Sequence, residues 1–217
     1  MVFKIGNRKI GPQEQPYCIA EVGINHNGDL EQAFKMIKVA KDSGADAVKF
    51  QTFSAIEFCG DSQKFTYRSQ GKEVTESMLK MFQRYEFTKE QWFELKTECD
   101  RRSITFMSTP QNRTDLDILL KIGIPAIKVG SDDLTNIPLI RSYAKEKLPL
   151  ILSSGMSDLA EVYNSINVAG GFDGHPVAIL LCTSQYPTPP EEVNIERLRT
   201  LKKALPNITI GFSDHTR

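Results

Sequence analysis

Short runs of apolar residues recur along the chain, and polar residues follow each run. After most runs comes the pattern of an amphipathic helix. The first run starts at Tyr17 and ends near Gly23; after a polar turn, apolar residues recur three or four positions apart, as on one face of a helix. Asp29 stands where it can cap that helix. Six more strand-like runs begin at Ala47, Ile104, Ala126, Leu150, Val177 and Ile208. This alternation predicts seven strand–helix units, an α/β fold in which helices cover a parallel sheet.

Two stretches depart from the alternation. Residues 1–16 carry two short apolar patches around Gly6 and Asn7, which predict a lead-in hairpin. Residues Thr52 to Phe87 are polar and mixed, and a loop of that length in a compact domain is usually functional, so we expect a mobile lid. Thr88 then caps the next helix. The predicted main domain runs from residue 17 to residue 217.

Polar residues close nearly every predicted strand. They include Glu21, Lys49, Gln51, Ser108, Thr109, Lys128, Ser131, Ser153, Thr183, Ser184, Ser213 and His215. A doubly wound open sheet gathers ligand groups mainly at one switch point, whereas a barrel gathers them from all strands at its C-terminal face. Since all seven strands contribute, we predict a (β/α)8 TIM barrel. With seven units counted, the barrel is expected to be incomplete, its eighth unit missing at the C-terminus, and the chain to be the front part of a longer protein.

The charge balance argues against two classes of partner. The 217 residues include 27 Lys and Arg and 27 Asp and Glu, whereas proteins that bind nucleic acid or acidic membranes usually show a basic excess. We therefore expect neither a nucleic-acid nor a membrane partner, and no run of 18 apolar residues occurs. The four cysteines have no metal-type spacing. Cys18 and Cys182 lie in apolar runs, which favours reduced thiols that act as small hydrophobes, and a cytoplasmic location.

Two lysines, Lys49 and Lys128, interrupt apolar strands. An isolated buried ammonium is costly, so each needs an anionic partner or a lowered pKa. One interpretation is a pair of structural salt bridges, for example with Glu21. The other is an anionic substrate held at the strand ends.

Serines follow several of the predicted strands. They are Ser131, Ser153, Ser154 and Ser213. Hydroxyl and backbone N–H groups at such positions suit a phosphate, helped by helix N-termini. Each serine alone is better explained as a helix or turn cap, but four of them together with two lysines favour a phosphate or phosphate ester. The glycine-rich nucleotide-binding motifs are absent from the sequence.

Histidine and tyrosine add further candidates. His215 follows the seventh strand and suits a metal ligand, an acid–base group or a plain surface residue. His26, in the first loop, is expected to orient Asn25 and Glu21. Tyr186 lies in a proline-rich loop, where it either packs or points its hydroxyl at a sugar.

Seven segments, taken in order, resemble the sialic acid synthase (nonulosonic acid synthase) family. They read I-A-E-V-G-I-N-H-N-G-D, V-K-F-Q-T, F-M-S-T-P, I-K-V-G-S, L-S-S-G-M, C-T-S-Q-Y-P-T-P and G-F-S-D-H-T, and the resemblance covers residues 17–217. Members of that family condense phosphoenolpyruvate with an N-acetylated hexose such as N-acetylmannosamine and release phosphate. They use a divalent metal, Mn²⁺ or Mg²⁺, on a barrel followed by a small antifreeze-like domain. The resemblance thus implies a transferase that forms a C–C bond.

The resemblance also implies a role for each matching residue. Glu21, Lys49 and Lys128 would be the catalytic residues. Phosphoenolpyruvate would be held by Lys49, Thr109 and Lys128 and, at its phosphate, by Ser131, Ser153, Ser184 and Ser213. The amino sugar would face Glu21, Gln51 and Tyr186. His215 would be one of two histidines that bind the metal.

Several features depart from the family pattern. Asp132 stands where many members have glycine, and Ser184 where several bacterial members have asparagine. The second metal histidine and the antifreeze-like domain would lie beyond residue 217. We therefore expect the chain alone to be inactive or very weak and the full-length form to be a homodimer.

Two other functions remain open at this point. A strand-borne lysine is also the nucleophile of a Schiff-base aldolase on the same barrel. The alternative outside catalysis is a barrel that binds a sugar phosphate without acting on it.

Overall fold

The computed structural model describes residues 2–60, 62, 64–69 and 71–216, which divide into two compact units. We call residues Cys18–Ile124 the Lys49 unit, and residues Met1–Tyr17 together with Pro125–Arg217 the Lys128 unit. Each name refers to the lysine that the unit carries in a buried strand.

The Lys128 unit begins with the predicted lead-in hairpin. Strand β1 (Phe3–Ile5) pairs antiparallel with β2 (Arg8–Ile10). Phe3 and Ile5 are buried while Lys4 between them is exposed, the period-2 alternation of a strand with one covered face. The prediction of a hairpin in residues 1–16 is confirmed.

The described residues of the Lys49 unit form a three-stranded parallel sheet, an antiparallel hairpin and five helices. Its elements are β3 (Ile19–Gly23), α1 (Leu30–Asp42), β4 (Ala47–Thr52), α2 (Ala55–Phe58), β5 (Lys64–Ser69), β6 (Lys72–Ser77), α3 (Met78–Gln83), α4 (Lys89–Arg101), β7 (Thr105–Pro110) and α5 (Arg113–Ile122). The parallel strands have the order β3–β4–β7, and α1, α4 and α5 pack against them. Five of the six residues of β4 are buried, as expected for a strand covered on both faces.

Local signals explain where the long helices begin. Asp29 caps α1 by accepting a hydrogen bond from the Gln32 N–H, which satisfies one of the unpaired donors of the first turn. Thr88 and Gln91 form a capping box at the start of α4. Both predicted caps are confirmed.

The segment between β4 and α4 is not the long polar loop that we predicted. It folds into α2, an antiparallel hairpin of β5 and β6, and α3. The rings of Phe53, Phe58 and Phe82 pack together with centroids 4.9 to 5.8 Å apart. Those apolar contacts give the segment a small core, which its polar composition conceals. Positions 61, 63 and 70 of this segment lie outside the described residues, and its mobility stays a prediction.

The remainder of the Lys128 unit repeats the strand–helix plan. Its elements are β8 (Ile127–Val129), α6 (Ile137–Ala144), β9 (Leu150–Ser153), α7 (Leu159–Val168), a 3-10 turn (Gly171–Asp173), β10 (Val177–Cys182), a second 3-10 turn (Pro190–Glu192), α8 (Arg197–Ala204) and β11 (Thr209–Ser213). The four strands are parallel in the order β8–β9–β10–β11. With the three parallel strands of the Lys49 unit, they confirm the seven predicted strands and the parallel α/β class.

The four cysteines are free thiols, and three of them are buried. Cys18 is exposed, so its predicted role as a small hydrophobe is wrong. It precedes the first residue of β3, and its backbone N–H donates to the Asp46 carboxylate. Within the part of the chain that the structure describes, no helix has the length and apolar character needed to cross a membrane.

Candidate active site

Glu21 and Lys49 meet on two neighbouring strands of the Lys49 unit. The parallel register of β3 and β4 places the two residues side by side, and an irregularity follows between Glu21 and Gly23. The Lys49 side chain is almost covered, the residue being 8% exposed, and its ammonium contacts the Glu21 carboxylate. The salt bridge that the sequence suggested is therefore present. It brings together two of the predicted catalytic residues.

Gln51 and Thr109 lie next to this pair, nearer the carboxyl ends of β4 and β7. Gln51 lies two residues after Lys49 on the same face of β4, and its register partner on β7 is Thr109, which is buried. An added Cβ at Gly23 would lie 3.2 Å from Glu21 Oε1 and 3.9 Å from Gln51 Nε2. The carboxylate, the ammonium and the amide thus form a polar group at the carboxyl ends of β3 and β4.

Lys128 is the corresponding lysine of the other unit. It is 5% exposed, and its ammonium donates to Ser153 Oγ at 2.7 Å and to the Val129 carbonyl oxygen at 2.6 Å. Ser153 ends the neighbouring strand β9, all of whose residues are buried. Adjacent parallel strands therefore hold the ammonium and the hydroxyl together.

Two further serines lie beside the turn that follows β9. The Gly155 N–H donates to Ser131 Oγ at 3.0 Å. A Cβ added at Gly155 would be 2.7 Å from Ser131 Oγ and 2.3 Å from Ser184 Oγ, so both hydroxyls sit against the same glycine. Ser184 Oγ is buried and has no hydrogen-bond partner among the described residues. Buried hydroxyls of this kind normally find one.

Ser213, His215 and Tyr186 form a second group in the Lys128 unit. Ser213 Oγ lies 3.2 Å from His215 Nε2. The Tyr186 ring packs edge-on against the imidazole, with centroids 4.5 Å apart. The Thr188 N–H donates to the His215 carbonyl oxygen at 2.8 Å, which ties the proline-rich loop to the end of β11. The Tyr186 ring therefore packs on His215 while its side chain is also exposed, and whether its hydroxyl faces a sugar stays a prediction.

The described residues do not by themselves fit a divalent metal. They contain no group of three or more His, Cys, Asp or Glu side chains that could hold one. The Asp214 carboxylate, next to His215, instead accepts the Thr216 N–H at 2.9 Å. That hydrogen bond lowers the pKa of Asp214.

His26 does not orient Asn25 and Glu21, contrary to our prediction. Its ring is fully buried and stacks on Phe87 with centroids 4.2 Å apart, and its Nδ1 accepts the Gly28 N–H. Asn25 donates instead to the Val22 carbonyl oxygen. Burial lowers the pKa of His26 to about 4, because an imidazolium loses its hydration there.

Asp115 is a buried titratable residue that the sequence did not indicate. Asp115, in the first turn of α5, is 2% exposed. Burial raises its pKa to about 7 and repulsion from Glu57 and Glu86 adds to the rise, although backbone N–H groups of Gln111 and Asn112 oppose it. An acidic residue near a helix start is an ordinary capping signal. The sequence held nothing to indicate its burial.

The chain is similar in sequence to a known protein family and to several of its members. The model of the NeuB family matches residues 36–217. N,N'-diacetyllegionaminic acid synthase from Campylobacter jejuni is 39% identical over 92% of this chain and 60% of its own length. N-acetylneuraminate-9-phosphate synthase from Homo sapiens is 33% identical over 96% of this chain and 58% of its own length. The chain thus spans about 60% of the length of these curated relatives.

A solved structure is similar over the whole chain. It is the N-acetylneuraminic acid (sialic acid) synthetase from Leptospira borgpetersenii serovar Hardjo-bovis in complex with citrate. The two chains are 31% identical and superpose with a TM-score of 0.88, covering 100% of this chain and 70% of the other.

Proposed function

The chain belongs to the NeuB family, and we propose that it carries the phosphoenolpyruvate-binding part of a sialic-type acid synthase. The proposed enzyme condenses phosphoenolpyruvate with an N-acetylated hexose, N-acetylmannosamine or a related sugar. Its products are a nonulosonic acid and inorganic phosphate. Two relatives bear the names of a legionaminic acid synthase and an N-acetylneuraminate-9-phosphate synthase, which supports the product class.

One observation carries the proposal: a buried ammonium and several hydroxyl groups close the strands of the Lys128 unit. Lys128 and Ser153 are in hydrogen-bond contact, and the hydroxyls of Ser131 and Ser184 sit against Gly155. An ammonium supplies charge and each hydroxyl supplies a donor. Charge-assisted hydrogen bonds of this type are the strong ones in anion binding. This donor set suits the phosphate and carboxylate of phosphoenolpyruvate.

We assign the remaining residues by the same chemistry. Ser213 joins the serines named above as a donor to phosphate oxygens, while Lys49 and Thr109 contribute to binding the phosphoenolpyruvate carboxylate. The Glu21 carboxylate can accept hydrogen bonds and the Gln51 amide can both donate and accept them, which suits a polyhydroxylated amino sugar. The exposed Tyr186 side chain is assigned to the same sugar.

The proposed reaction forms one C–C bond and breaks one C–O bond. The enol carbon of phosphoenolpyruvate attacks the aldehyde carbon of the sugar, and the aldehyde oxygen takes up a proton. Water adds to the resulting oxocarbenium ion and releases one proton, which balances the proton taken up by the aldehyde oxygen. The tetrahedral intermediate then loses phosphate through C–O cleavage, leaving the keto group. The ammonium groups of Lys49 and Lys128 are assigned to offset the negative charge of the carboxylate and of the departing phosphate.

Three further proposals accompany this function. The seven parallel strands, closed by polar residues, are proposed to belong to a (β/α)8 TIM barrel. His215 is proposed to contribute one ligand to a divalent metal, Mn²⁺ or Mg²⁺, which would supply Lewis-acid polarisation of the sugar aldehyde. The full-length protein is proposed to be a homodimer.

A phosphate-release assay on the full-length protein tests the function. Phosphate should appear only when phosphoenolpyruvate, a divalent metal and an acceptor sugar are all present, and a panel of free and 6-phosphorylated N-acetylated hexoses identifies the acceptor. Covalent trapping of Lys49 or Lys128 by borohydride and pyruvate would instead establish a Schiff-base aldolase. Binding of sugar phosphates without turnover would establish a non-catalytic barrel.

A further inference from the structure

At Gly155 a larger residue is excluded by steric crowding and not by the backbone conformation. Its φ angle is not in the left-handed region that favours glycine, so an alanine there would adopt the same backbone without strain. The added Cβ, however, would lie 2.3 Å from Ser184 Oγ and 2.7 Å from Ser131 Oγ. Real Cβ atoms essentially never approach other atoms below 3.0 Å. The two hydroxyl oxygens therefore occupy the space that any side chain at residue 155 would take.

The hydrogen bonding around Gly155 leaves donors available to a ligand. The Gly155 N–H donates to Ser131 Oγ. Since that oxygen acts as an acceptor toward the glycine, the hydroxyl hydrogen of Ser131 remains able to donate elsewhere. Ser184 Oγ is buried and makes no hydrogen bond to any described residue, and an unsatisfied buried hydroxyl is costly. A ligand oxygen that accepts from both hydroxyls would remove that cost.

We propose that Gly155 is a positioning residue: its missing side chain lets the hydroxyls of Ser131 and Ser184 converge, and its N–H orients Ser131, so that both donate to one anionic oxygen. This inference rests on the proposed function, because it names the phosphate of phosphoenolpyruvate as the natural ligand. Gly155 itself acts through the two serines and need not touch the ligand.

The substitution Gly155→Ala in the full-length protein tests the inference. We expect the KM for phosphoenolpyruvate and the Kd for inorganic phosphate to rise about tenfold to a hundredfold, the range for losing a hydrogen bond to a charged group. The KM for the acceptor sugar should stay within about twofold, because the change displaces only phosphate donors. A uniform loss of stability would not separate the two KM values in this way.

Gly60→Ala is the matched control. Among the described residues, no atom lies within 4 Å of the Cβ that it adds, and its φ angle is not left-handed. It should leave both KM values and the Kd for phosphate unchanged. Equal behaviour of Gly155→Ala and Gly60→Ala would overturn the inference.

A double-mutant cycle keeps the test decisive if Gly155→Ala folds poorly. Ser184→Ala removes the nearer hydroxyl without adding volume, and alone it should weaken phosphate binding. In the Gly155→Ala, Ser184→Ala double variant Ser184 Oγ is already absent, so the new methyl can displace only Ser131 Oγ. The combined loss of phosphate affinity should therefore be below the product of the two single losses. Fully multiplicative losses, or a Ser184→Ala variant that binds phosphate normally, would contradict the proposal.

Failure of the inference can be told apart from failure of the proposed function. Calorimetry with inorganic phosphate reports on the two hydroxyls whether or not the protein turns over phosphoenolpyruvate. If wild-type protein binds phosphate but has no synthase activity, and Gly155→Ala weakens that binding, then the positioning role stands and the proposed function fails. If wild-type protein is active and Gly155→Ala binds phosphate normally, then only the positioning role fails.

Discussion

The two units treat a buried lysine in different ways. In the Lys49 unit the ammonium contacts the Glu21 carboxylate. In the Lys128 unit the ammonium contacts a serine hydroxyl and a carbonyl oxygen, and two more serine hydroxyls lie beside Gly155. A carboxylate can only accept hydrogen bonds, whereas a hydroxyl can also donate them. The hydroxyl groups of the Lys128 unit therefore suit the oxygens of a phosphate, whereas the Glu21 carboxylate of the Lys49 unit offers an acceptor that suits the hydroxyl groups of a sugar.

Lys128→Met should have the largest effect on activity, because it removes the positive charge from the hydrogen-bond donors of the Lys128 unit. Loss of a charge-assisted contact to a buried anion costs about 1.5–3 kcal/mol or more, so turnover in the full-length protein should fall by at least about tenfold to a hundredfold. Calorimetry should show weakened phosphoenolpyruvate binding while the circular dichroism spectrum stays native-like. Lys203→Met, at an exposed lysine of the same unit, is the control. Unchanged phosphoenolpyruvate affinity in Lys128→Met would remove Lys128 from the site.

Asp115→Asn should change how stability depends on pH in the Lys49 unit. The folded-state pKa of Asp115 is raised from 3.8 to about 7, so the folded state holds its proton longer than the unfolded state. The stability that Asp115 contributes is complete below pH 3.8 and is lost as the pH rises toward 7, by roughly 4 kcal/mol. The variant lacks this loss, so its free energy of unfolding relative to wild type should increase from pH 4 to pH 8.

Urea unfolding across that pH range measures the effect of Asp115→Asn. A constant difference between Asp115→Asn and wild type at every pH would mean that burial does not raise the pKa of Asp115.

His26→Gln should change the pH dependence of stability in the direction opposite to Asp115→Asn. The folded-state pKa of His26 is lowered from 6.5 to about 4, so the unfolded state takes up its proton first as the pH falls. Stability is therefore lost between pH 6.5 and 4, by roughly 3 kcal/mol, and a glutamine cannot titrate. In wild type, as the pH falls over this interval, His26 lowers the free energy of unfolding while Asp115 raises it. Relative to wild type, His26→Gln should gain stability as the pH falls from 6.5 to 4; parallel curves would show that His26 is not buried as a neutral ring.

Glu21→Gln should have the smallest effect on stability. It leaves the Lys49 ammonium beside a neutral amide, which is destabilising, but the Glu21 side chain is 36% exposed and water moderates the cost. We expect a loss of about 1–2 kcal/mol by chemical denaturation, with a raised KM for the acceptor sugar. Glu196→Gln breaks an ion pair to Arg199 whose partners are both well exposed and should change stability by less than about 0.5 kcal/mol. Equal losses in the two variants would show that Glu21 and Lys49 do not form a partly buried pair.

The sequence by itself determined the seven parallel strands, their order and the lead-in hairpin. Seven strands, the lead-in hairpin and the caps at Asp29 and Thr88 were predicted from apolar periodicity and capping residues, because such signals lie within a few residues of the structure they specify. It also identified the lysines and serines at the strand ends, since a polar residue that interrupts an apolar run is visible without a structure. The segment between Thr52 and Phe87 was mispredicted because its small aromatic core joins residues distant along the chain.

Only the tertiary structure decided which of those polar groups meet. Strand register pairs Glu21 with Lys49 across 28 positions, and packing brings Ser184 against Gly155. The same packing buries His26 and Asp115, which moves their pKa values in opposite directions because one is a base and the other an acid. Charge pairing, close approach and desolvation depend on distances in space between residues far apart in the chain. No periodicity in the sequence encodes those distances.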